Sequence, residues 1–196
     1  MGDPGEFIAV VVSGLIEITR YTTADEETAI GIFGPSDVIG ILAVIKKIPY
    51  PGSARSIMKD SEVIKFYLRP ALHGKGTQKV ELEIQTWIRE MLLQHEQVLR
   101  DKIDMLSAGS VENRVFELLT HLIRRFGKQE VHLQHTIPLR LTRAQIGRLV
   151  HVRVETIIRL INRWQKQRLI VWTQQSILIE NLPLLEKSLS KNRRLI

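Results

Sequence analysis

Short runs of β-branched and aromatic residues, separated by turn residues, fill the first third of the chain. Within Leu15–Thr22 the pattern alternates, with Ile16 and Ile18 apolar and polar residues between them, as in a strand with one buried face. The runs expected to form strands are Phe7–Ser13, Leu15–Thr22, Thr28–Phe33, Asp37–Leu42, Ser53–Asp60 and Glu62–Leu68. Strands this short, with turns between them, predict a small β-sandwich or barrel.

A different pattern begins near Gln78. From there to Leu106 the chain has no Pro or Gly, and its apolar residues fall at helical spacing. One apolar series repeats every seven residues and is predicted to form a dimer interface: Ile84, Met91, Val98 and Met105. A helix of about eight turns has more apolar surface than a small sheet can cover, so the stripe favours coiled-coil pairing with a second copy. Packing within the same chain is the alternative.

The chain beyond the long helix alternates between helical and strand patterns. Ser107–Ser110 interrupts the long helix, and Ser110 can cap a following helix that stops near Gly127. Glu130–Leu141 is mixed and strand-like. Two more strand candidates lie near the C-terminus: Leu169–Trp172 and Ser176–Ile179.

Two short helices joined by a tight turn are predicted between these segments. Thr142 can cap the first helix, and a second helix begins shortly after its end. The second helix directs apolar residues inward and these charged residues outward: Arg153, Glu155, Arg159 and Arg163. This arrangement is a helix-turn-helix, whose second helix has the width to enter the major groove of duplex DNA.

The distribution of charge supports a polyanionic partner. Residues 1–109 contain 12 Lys and Arg against 15 Asp and Glu, a net charge of −3, whereas residues 110–196 contain 16 against 6, a net charge of +10. A basic half beside a mildly acidic half indicates that the basic half binds a polyanion, although a solubilising surface gives the same pattern.

One acidic residue interrupts the basic segment 142–168, which contains seven Lys and Arg. Attraction to phosphate alone gains nothing from Glu155, but a glutamate can accept a hydrogen bond from a cytosine amino group. Arg159 is four residues later, on the same helix face, and arginine can bind guanine. The pair therefore favours base recognition, with a simple ion pair on a solvated helix as the alternative.

These residues carry a resemblance to a known family. Thr142-Arg143-x-x-Ile146-Gly147 and Val154-Glu155-Thr156-Ile157-x-Arg159-Leu160, followed by Leu169-Ile170, resemble the CRP/FNR family of bacterial transcription regulators. The resemblance implies an α+β fold with an N-terminal cyclic-nucleotide-binding-like β-roll, a long dimerisation helix and a C-terminal winged helix-turn-helix. The corresponding domains are a partial β-roll sensor (1–77), a dimerisation helix (78–109) and a DNA-binding domain (110–196).

The resemblance also implies individual roles. Base contacts fall to Glu155 and Arg159, and phosphate contacts to Arg143 and the hydroxyl of Thr142. The full predicted DNA-binding set is Thr142, Arg143, Arg153, Val154, Glu155, Thr156, Arg159 and Arg163. Val154 matches the FNR branch and predicts an FNR-like half-site.

Two positions depart from the family pattern. Ile158 stands where FNR proteins have serine, which puts one base contact in doubt. His151 stands at the turn position usually held by glycine, but histidine tolerates positive φ better than most residues.

The sensor half predicts no cofactor and leaves the effector unknown. The cyclic-nucleotide pocket of the family uses a Gly-Glu pair and then an Arg-Ser pair, whereas this chain has Gly40-Ile41 and Pro51-Gly52. Because Ile and Pro supply neither an acceptor for the ribose nor a cation for the phosphate, the usual cyclic AMP site is not expected. The chain has no cysteine, which excludes a cysteine-ligated iron–sulfur cluster. Haem ligation by His73 or His95 is disfavoured, and no metal site is predicted.

The predicted protein is a regulator rather than an enzyme, because the serine-hydrolase, zinc-protease and phosphate-loop patterns are all missing. Its expected partners are double-stranded DNA, a second copy of the chain and RNA polymerase, the last through Glu130–Pro138. A cytoplasmic location without membrane contact is expected, since the start of the chain is acidic and its apolar runs are short. A degenerate regulator acting through protein contacts and a constitutive, ligand-free DNA binder remain alternatives.

Overall fold

The computed structural model describes residues 2–21, 27–58, 60–67, 78–130 and 133–192. The chain forms two compact units, Met1–Lys102 and Ile103–Ile196. The boundary between them lies within one long helix, α2 (Gln78–Ser107). No helix in the described part of the chain is long and apolar enough to cross a membrane.

The described residues of the N-terminal unit form two antiparallel sheets of three strands each. The strands are β1 (Ile8–Ser13), β2 (Ile16–Tyr21), β3 (Glu27–Phe33), β4 (Val38–Ile39), β5 (Ser53–Ser56) and β6 (Glu62–Phe66). Their orders are β4-β1-β6 and β3-β2-β5. The predicted small β-fold is therefore confirmed, with strands close to the expected positions.

One predicted strand is wrong in its C-terminal part. Asp37–Leu42 was expected to be extended, but β4 ends at Ile39 and a short helix, α1 (Ile41–Lys46), follows. Gly40, with φ of 86°, turns the backbone between them, a conformation that glycine adopts without steric cost. The apolar run around Gly40 has no clear period, so its pattern does not distinguish a strand from a helix.

The long helix α2 completes the core of the N-terminal unit. Trp87, Ile88, Met91 and Leu92 pack against one buried cluster, which comprises Ile8, Val38, Ile41 and Val44. Val98 packs against a second cluster, which comprises Val11, Ile16 and Phe33. The helix therefore uses a large part of its apolar stripe within its own chain.

This packing bears on the predicted dimer residues, which stay a prediction. Met91 and Val98 contact the two clusters of their own unit, Met105 is only 6% exposed, and the side chain of Ile84 lies outside the described part of the helix. Among the described side chains of α2, the large apolar ones left exposed are Leu82 (63%), Leu93 (63%), Leu99 (41%) and Ile103 (63%). At 3.6 residues per turn they fall within roughly a third of the helix circumference.

Lys102, at the end of the N-terminal unit, provides a pH-dependent prediction. Its Nζ donates a hydrogen bond to the Ala29 carbonyl oxygen at 3.0 Å, and burial lowers the pKa of Lys102 from 10.5 to about 8. The unfolded chain therefore binds this proton more tightly than the folded chain does, and the charged form destabilises the fold. Between pH 8 and 10.5, urea unfolding should show wild-type stability rising relative to Lys102→Met, which stays neutral. A difference that does not change with pH would contradict this assignment.

The described residues of the C-terminal unit form four further helices and one antiparallel sheet. The elements are α3 (Val111–Phe126), β7 (Lys128–Gln129), β8 (His135–Ile137), α4 (Arg143–Val150), α5 (Val154–Lys166), β9 (Ile170–Trp172), β10 (Ile177–Ile179) and α6 (Leu182–Asn192). The sheet order is β7-β8-β10-β9. As predicted, Ser110 caps α3, accepting a hydrogen bond from the Asn113 amide at 3.2 Å.

Helix α6 was not predicted from the sequence, although a local signal for it exists. Asn181 Oδ1 accepts a hydrogen bond from the Leu184 amide at 2.9 Å, as a helix cap does. Leu185 and Leu189 are four residues apart and buried. An N-cap followed by an i, i+4 apolar pair is enough to expect a short amphipathic helix.

Candidate nucleic-acid interface

Helix α4 begins with a complete capping box. The Gln145 amide donates to Thr142 Oγ1 at 3.1 Å, and the Thr142 amide donates to Gln145 Oε1 at 2.8 Å. This confirms Thr142 as the predicted cap. The Thr142 hydroxyl also donates to Gln145 Oε1 at 3.0 Å, so a phosphate contact from this hydroxyl requires it to leave that bond.

The turn between α4 and α5 is compact. His151 has φ 55° and ψ 54° and ends α4 in the left-handed region, as expected for a residue in the glycine position. The amides of His151 and Val152 both donate to the Gly147 carbonyl oxygen, the second at 2.9 Å. These hydrogen bonds pair the Gly147 carbonyl oxygen near the end of α4, and they set the direction in which α5 starts.

Gly147 is required by this close approach. A Cβ at position 147 would lie 2.6 Å from the Val152 carbonyl oxygen, which is backbone and cannot rotate away. We expect Gly147→Ala to destabilise the C-terminal unit by about 1–3 kcal/mol and to weaken DNA binding, as measured by urea unfolding and gel shift. Gly31→Ala is the matched control, because its Cβ would meet Val98 Cγ1 at an ordinary 3.5 Å. Equal stability of the two variants would contradict the prediction.

Helix α5 separates its side chains into two faces. Ile157, Leu160, Ile161 and Trp164 are buried. Of the predicted DNA contacts, Thr142, Arg153, Glu155, Arg159 and Arg163 are exposed, and Arg143, Val154 and Thr156 are half-buried. Ile158, the departure from the family pattern, is 42% exposed and therefore lies on the outer face.

Glu155 and Arg159 do not pair with each other. Within the described residues, the ion pairs of the C-terminal unit do not include a Glu155–Arg159 contact, and Arg159 Nη2 lies 3.4 Å from Thr156 Oγ1. The simple i, i+4 ion pair considered from the sequence is therefore not formed. Both side chains remain exposed on the first two turns of α5. Arg159 donates one hydrogen bond, to Thr156 Oγ1, and a guanidinium has further N–H donors for an external partner.

Arg143 is placed by the wing, the hairpin of β9 and β10. Its guanidinium carbon lies 4.9 Å from the centre of the Trp172 ring, and Trp172 Nε1 donates to the Leu141 carbonyl oxygen at 3.2 Å. The indole thus connects the wing to the start of α4 and offers its face to a cation. Sequence reasoning missed Trp172, because a contact between residues so far apart leaves no local signal.

The structure also gives Arg163 a partner that the sequence did not indicate. Its guanidinium forms an ion pair with Glu112 in the first turn of α3. Of the outward cations of α5, Arg163 therefore differs from Arg159 in being engaged by a carboxylate.

Ile41 stands where the family resemblance places the glutamate of the cyclic-nucleotide pocket. Ile41 is 2% exposed and belongs to the core cluster with Ile8, Val38 and Val44. Its side chain is committed to packing and offers no acceptor. Of the two histidines considered as haem ligands, His73 lies outside the described residues, and His95 is half-buried with its pKa lowered by burial.

Comparison with known proteins supplies independent findings. Residues 113–188 match the Crp-like helix-turn-helix domain, and residues 1–69 match the cyclic nucleotide-binding domain. The chain is 28% identical over 159 residues to the CRP-like cAMP-activated global transcriptional regulator of Mycobacterium tuberculosis, covering 80% of this chain and 67% of the relative. It is 27% identical over 170 residues to the transcriptional activator protein anr of Pseudomonas aeruginosa, covering 86% and 67%.

Solved structures show the same fold. A CRP-family transcriptional regulator from Thermus thermophilus superposes with a TM-score of 0.77 at 13% identity, covering 96% of this chain and 90% of the other. FixK2 from Bradyrhizobium japonicum superposes with a TM-score of 0.74 at 18% identity, covering 95% and 88%. The chain spans about two thirds of the length of the curated relatives described above, and those relatives are transcription regulators rather than enzymes.

Proposed function

The chain belongs to the CRP/FNR family of transcription regulators, and on that premise we propose that it binds a palindromic duplex DNA site as a homodimer. The observation that carries this proposal is the outer face of α5, where Arg153, Glu155 and Arg159 are exposed. A net charge of +10 on residues 110–196 supplies the sequence-independent attraction to phosphate.

Within this proposal, α5 is the recognition helix and its first turns read bases. Glu155 accepts a hydrogen bond from a cytosine amino group and Arg159 donates to guanine, which is supported by their lack of an internal ion pair. Arg143, held near Trp172 at the start of α4, contacts phosphate. Val154 favours an FNR-like half-site.

The proposed dimer forms along α2, but through different residues than the heptad pattern indicated. The supporting observation is the exposed apolar set Leu82, Leu93, Leu99 and Ile103. Two copies of α2, paired in either a parallel or an antiparallel orientation, bury apolar surface that a single chain leaves in water. In the family arrangement, pairing sets two recognition helices about one DNA turn apart, roughly 34 Å.

A charge at the centre of this face tests the dimer. Leu93→Glu should convert the chain to a monomer by sedimentation and weaken binding to a palindrome, because two carboxylates would be buried against each other. Gln94→Glu introduces the same charge at an exposed neighbouring position and should leave the dimer intact. A dimeric Leu93→Glu variant would contradict the proposed face.

We propose that cyclic AMP does not act through the usual contacts, because Ile41 is packed in the core. The effector is therefore unassigned, and DNA binding without a ligand is the simplest state consistent with this sensor. RNA polymerase is the proposed protein partner; Leu133 and Pro138, within the segment Glu130–Pro138, are exposed.

Selection of sites from a random duplex library, with the purified chain and no added ligand, tests the function directly. Enrichment of an inverted repeat supports binding as a homodimer, and the bases enriched in each half of the repeat test the FNR-like half-site. No enrichment would contradict ligand-independent specific binding and favour an effector-dependent regulator or one that acts through protein contacts. A gel shift that weakens steeply with salt separates those two, since it reports phosphate-driven binding.

A further inference from the structure

Arg163 lies on the recognition helix, but its guanidinium is already engaged. The Arg163 side chain is 45% exposed and the Glu112 side chain is 23% exposed, so the ion pair is partly shielded from solvent. A DNA phosphate would have to compete with this carboxylate. Arg163 is also in the last turn of α5, whereas helix-turn-helix proteins read bases with the N-terminal residues of the recognition helix.

The first turn of α3 makes other contacts in the same region. Arg114 donates from Nε to the Gly109 carbonyl oxygen and from Nη1 to the Val150 carbonyl oxygen, each at 3.3 Å. Asn113 Nδ2 donates to the Ala108 carbonyl oxygen at 2.9 Å. This turn therefore contacts the break before α3, the last residue of α4 and, through Glu112, the last turn of α5.

We propose that Arg163 is a positioning residue, which acts on DNA binding through Glu112 and does not itself contact DNA. The ion pair holds the C-terminal end of the recognition helix on the first turn of α3, while Arg114 holds the end of α4 on the same turn. The C-terminal ends of α4 and α5 are thus both held by the first turn of α3, which follows the helix break at Gly109. The inference rests on the proposed function and reassigns Arg163 within the predicted DNA-binding set.

The direction in which one substitution changes DNA affinity distinguishes a positioning role from direct contact with DNA. Removing Glu112 takes a negative charge from a protein that binds a polyanion, so electrostatic attraction alone would strengthen DNA binding. If Glu112 positions α5, its removal should weaken binding, by about threefold for a partly exposed pair. The slope of log affinity against log salt should not change, because no phosphate contact is lost.

The experiment is a double-mutant cycle on DNA affinity, with Glu112→Gln, Arg163→Gln and both changes together, measured on the selected duplex at several salt concentrations. We expect each single variant to bind about threefold more weakly and the double variant to bind no more weakly than either. Glu117→Gln, on the same helix, removes the same charge and should bind as well as wild type or slightly better. Arg143→Gln, the proposed phosphate contact, should lower the salt slope by about one.

Three outcomes would overturn the inference. Arg163→Gln could reduce DNA affinity as much in the Glu112→Gln background as in wild type and lower the salt slope by about one, which would identify a phosphate contact. Glu112→Gln could bind as tightly as Glu117→Gln. Wild type could bind no duplex at any salt, and this result alone would also reject the proposed function. Circular dichroism checks the fold of each variant. If one Gln variant unfolds, the other decides alone: Glu112→Gln should weaken binding, Arg163→Gln should leave the salt slope unchanged, and the opposite result in either would contradict the inference.

Discussion

Replacing Trp164 with alanine is expected to destabilise the C-terminal unit by about 3–5 kcal/mol. The indole is 1% exposed and lies on the inner face of α5 with Ile157 and Ile161, so its removal leaves a cavity that the neighbours fill only in part. Because a domain typically has about 5–15 kcal/mol of stability, this loss removes a large share of it. DNA binding should be lost as the recognition helix loses its support.

Hydrogen exchange followed by mass spectrometry measures this effect separately for each unit. Amides of α3, α4 and α5 should exchange much faster in Trp164→Ala, since their protection depends on the stability of their own cooperative unit. Asn162→Ala, on the exposed side of the same helix, should change stability by less than about 0.5 kcal/mol. Unchanged protection in Trp164→Ala would mean that the ring does not support the motif.

Features encoded by neighbouring residues were predictable from the sequence. The cap at Thr142 requires only that an acceptor precede the helix by the right spacing, and Gln145 completes it locally. The left-handed turn at His151 was implied by the family resemblance, which places this residue at the position usually held by glycine. The outward face of α5 likewise follows from the helical period alone.

Features that depend on which surfaces meet were not predictable. The apolar stripe of α2 is broad, and its period does not say which side packs on the sheets; Met91 and Val98 pack inward, whereas Leu93 and Ile103 remain exposed. The partner of Arg163 is distant in sequence, so nothing near Arg163 points to Glu112. Such contacts arise from tertiary packing, which selects among faces that the local pattern leaves equivalent.

Replacing Arg159 with alanine is expected to remove preference at one base pair of the half-site and to cost about 1–3 kcal/mol on the preferred sequence. The reason is that a guanine contact made by a bidentate guanidinium discriminates against the other bases, whereas phosphate contacts do not. Arg159 is exposed and has no carboxylate partner among the described residues, so its loss should leave the fold intact. Repeating the site selection with the variant measures the effect directly.

Arg143→Ala should give the opposite result and serves as the comparison. Its guanidinium lies over Trp172 at the start of α4, and we propose that it contacts the phosphate backbone rather than a base edge. Binding should therefore weaken by a similar factor on every sequence, and the salt slope should fall by about one. If Arg143→Ala changes the selected sequence while Arg159→Ala weakens all sequences equally, the two roles are reversed, and base recognition must be assigned to the start of α4 and the wing instead of α5.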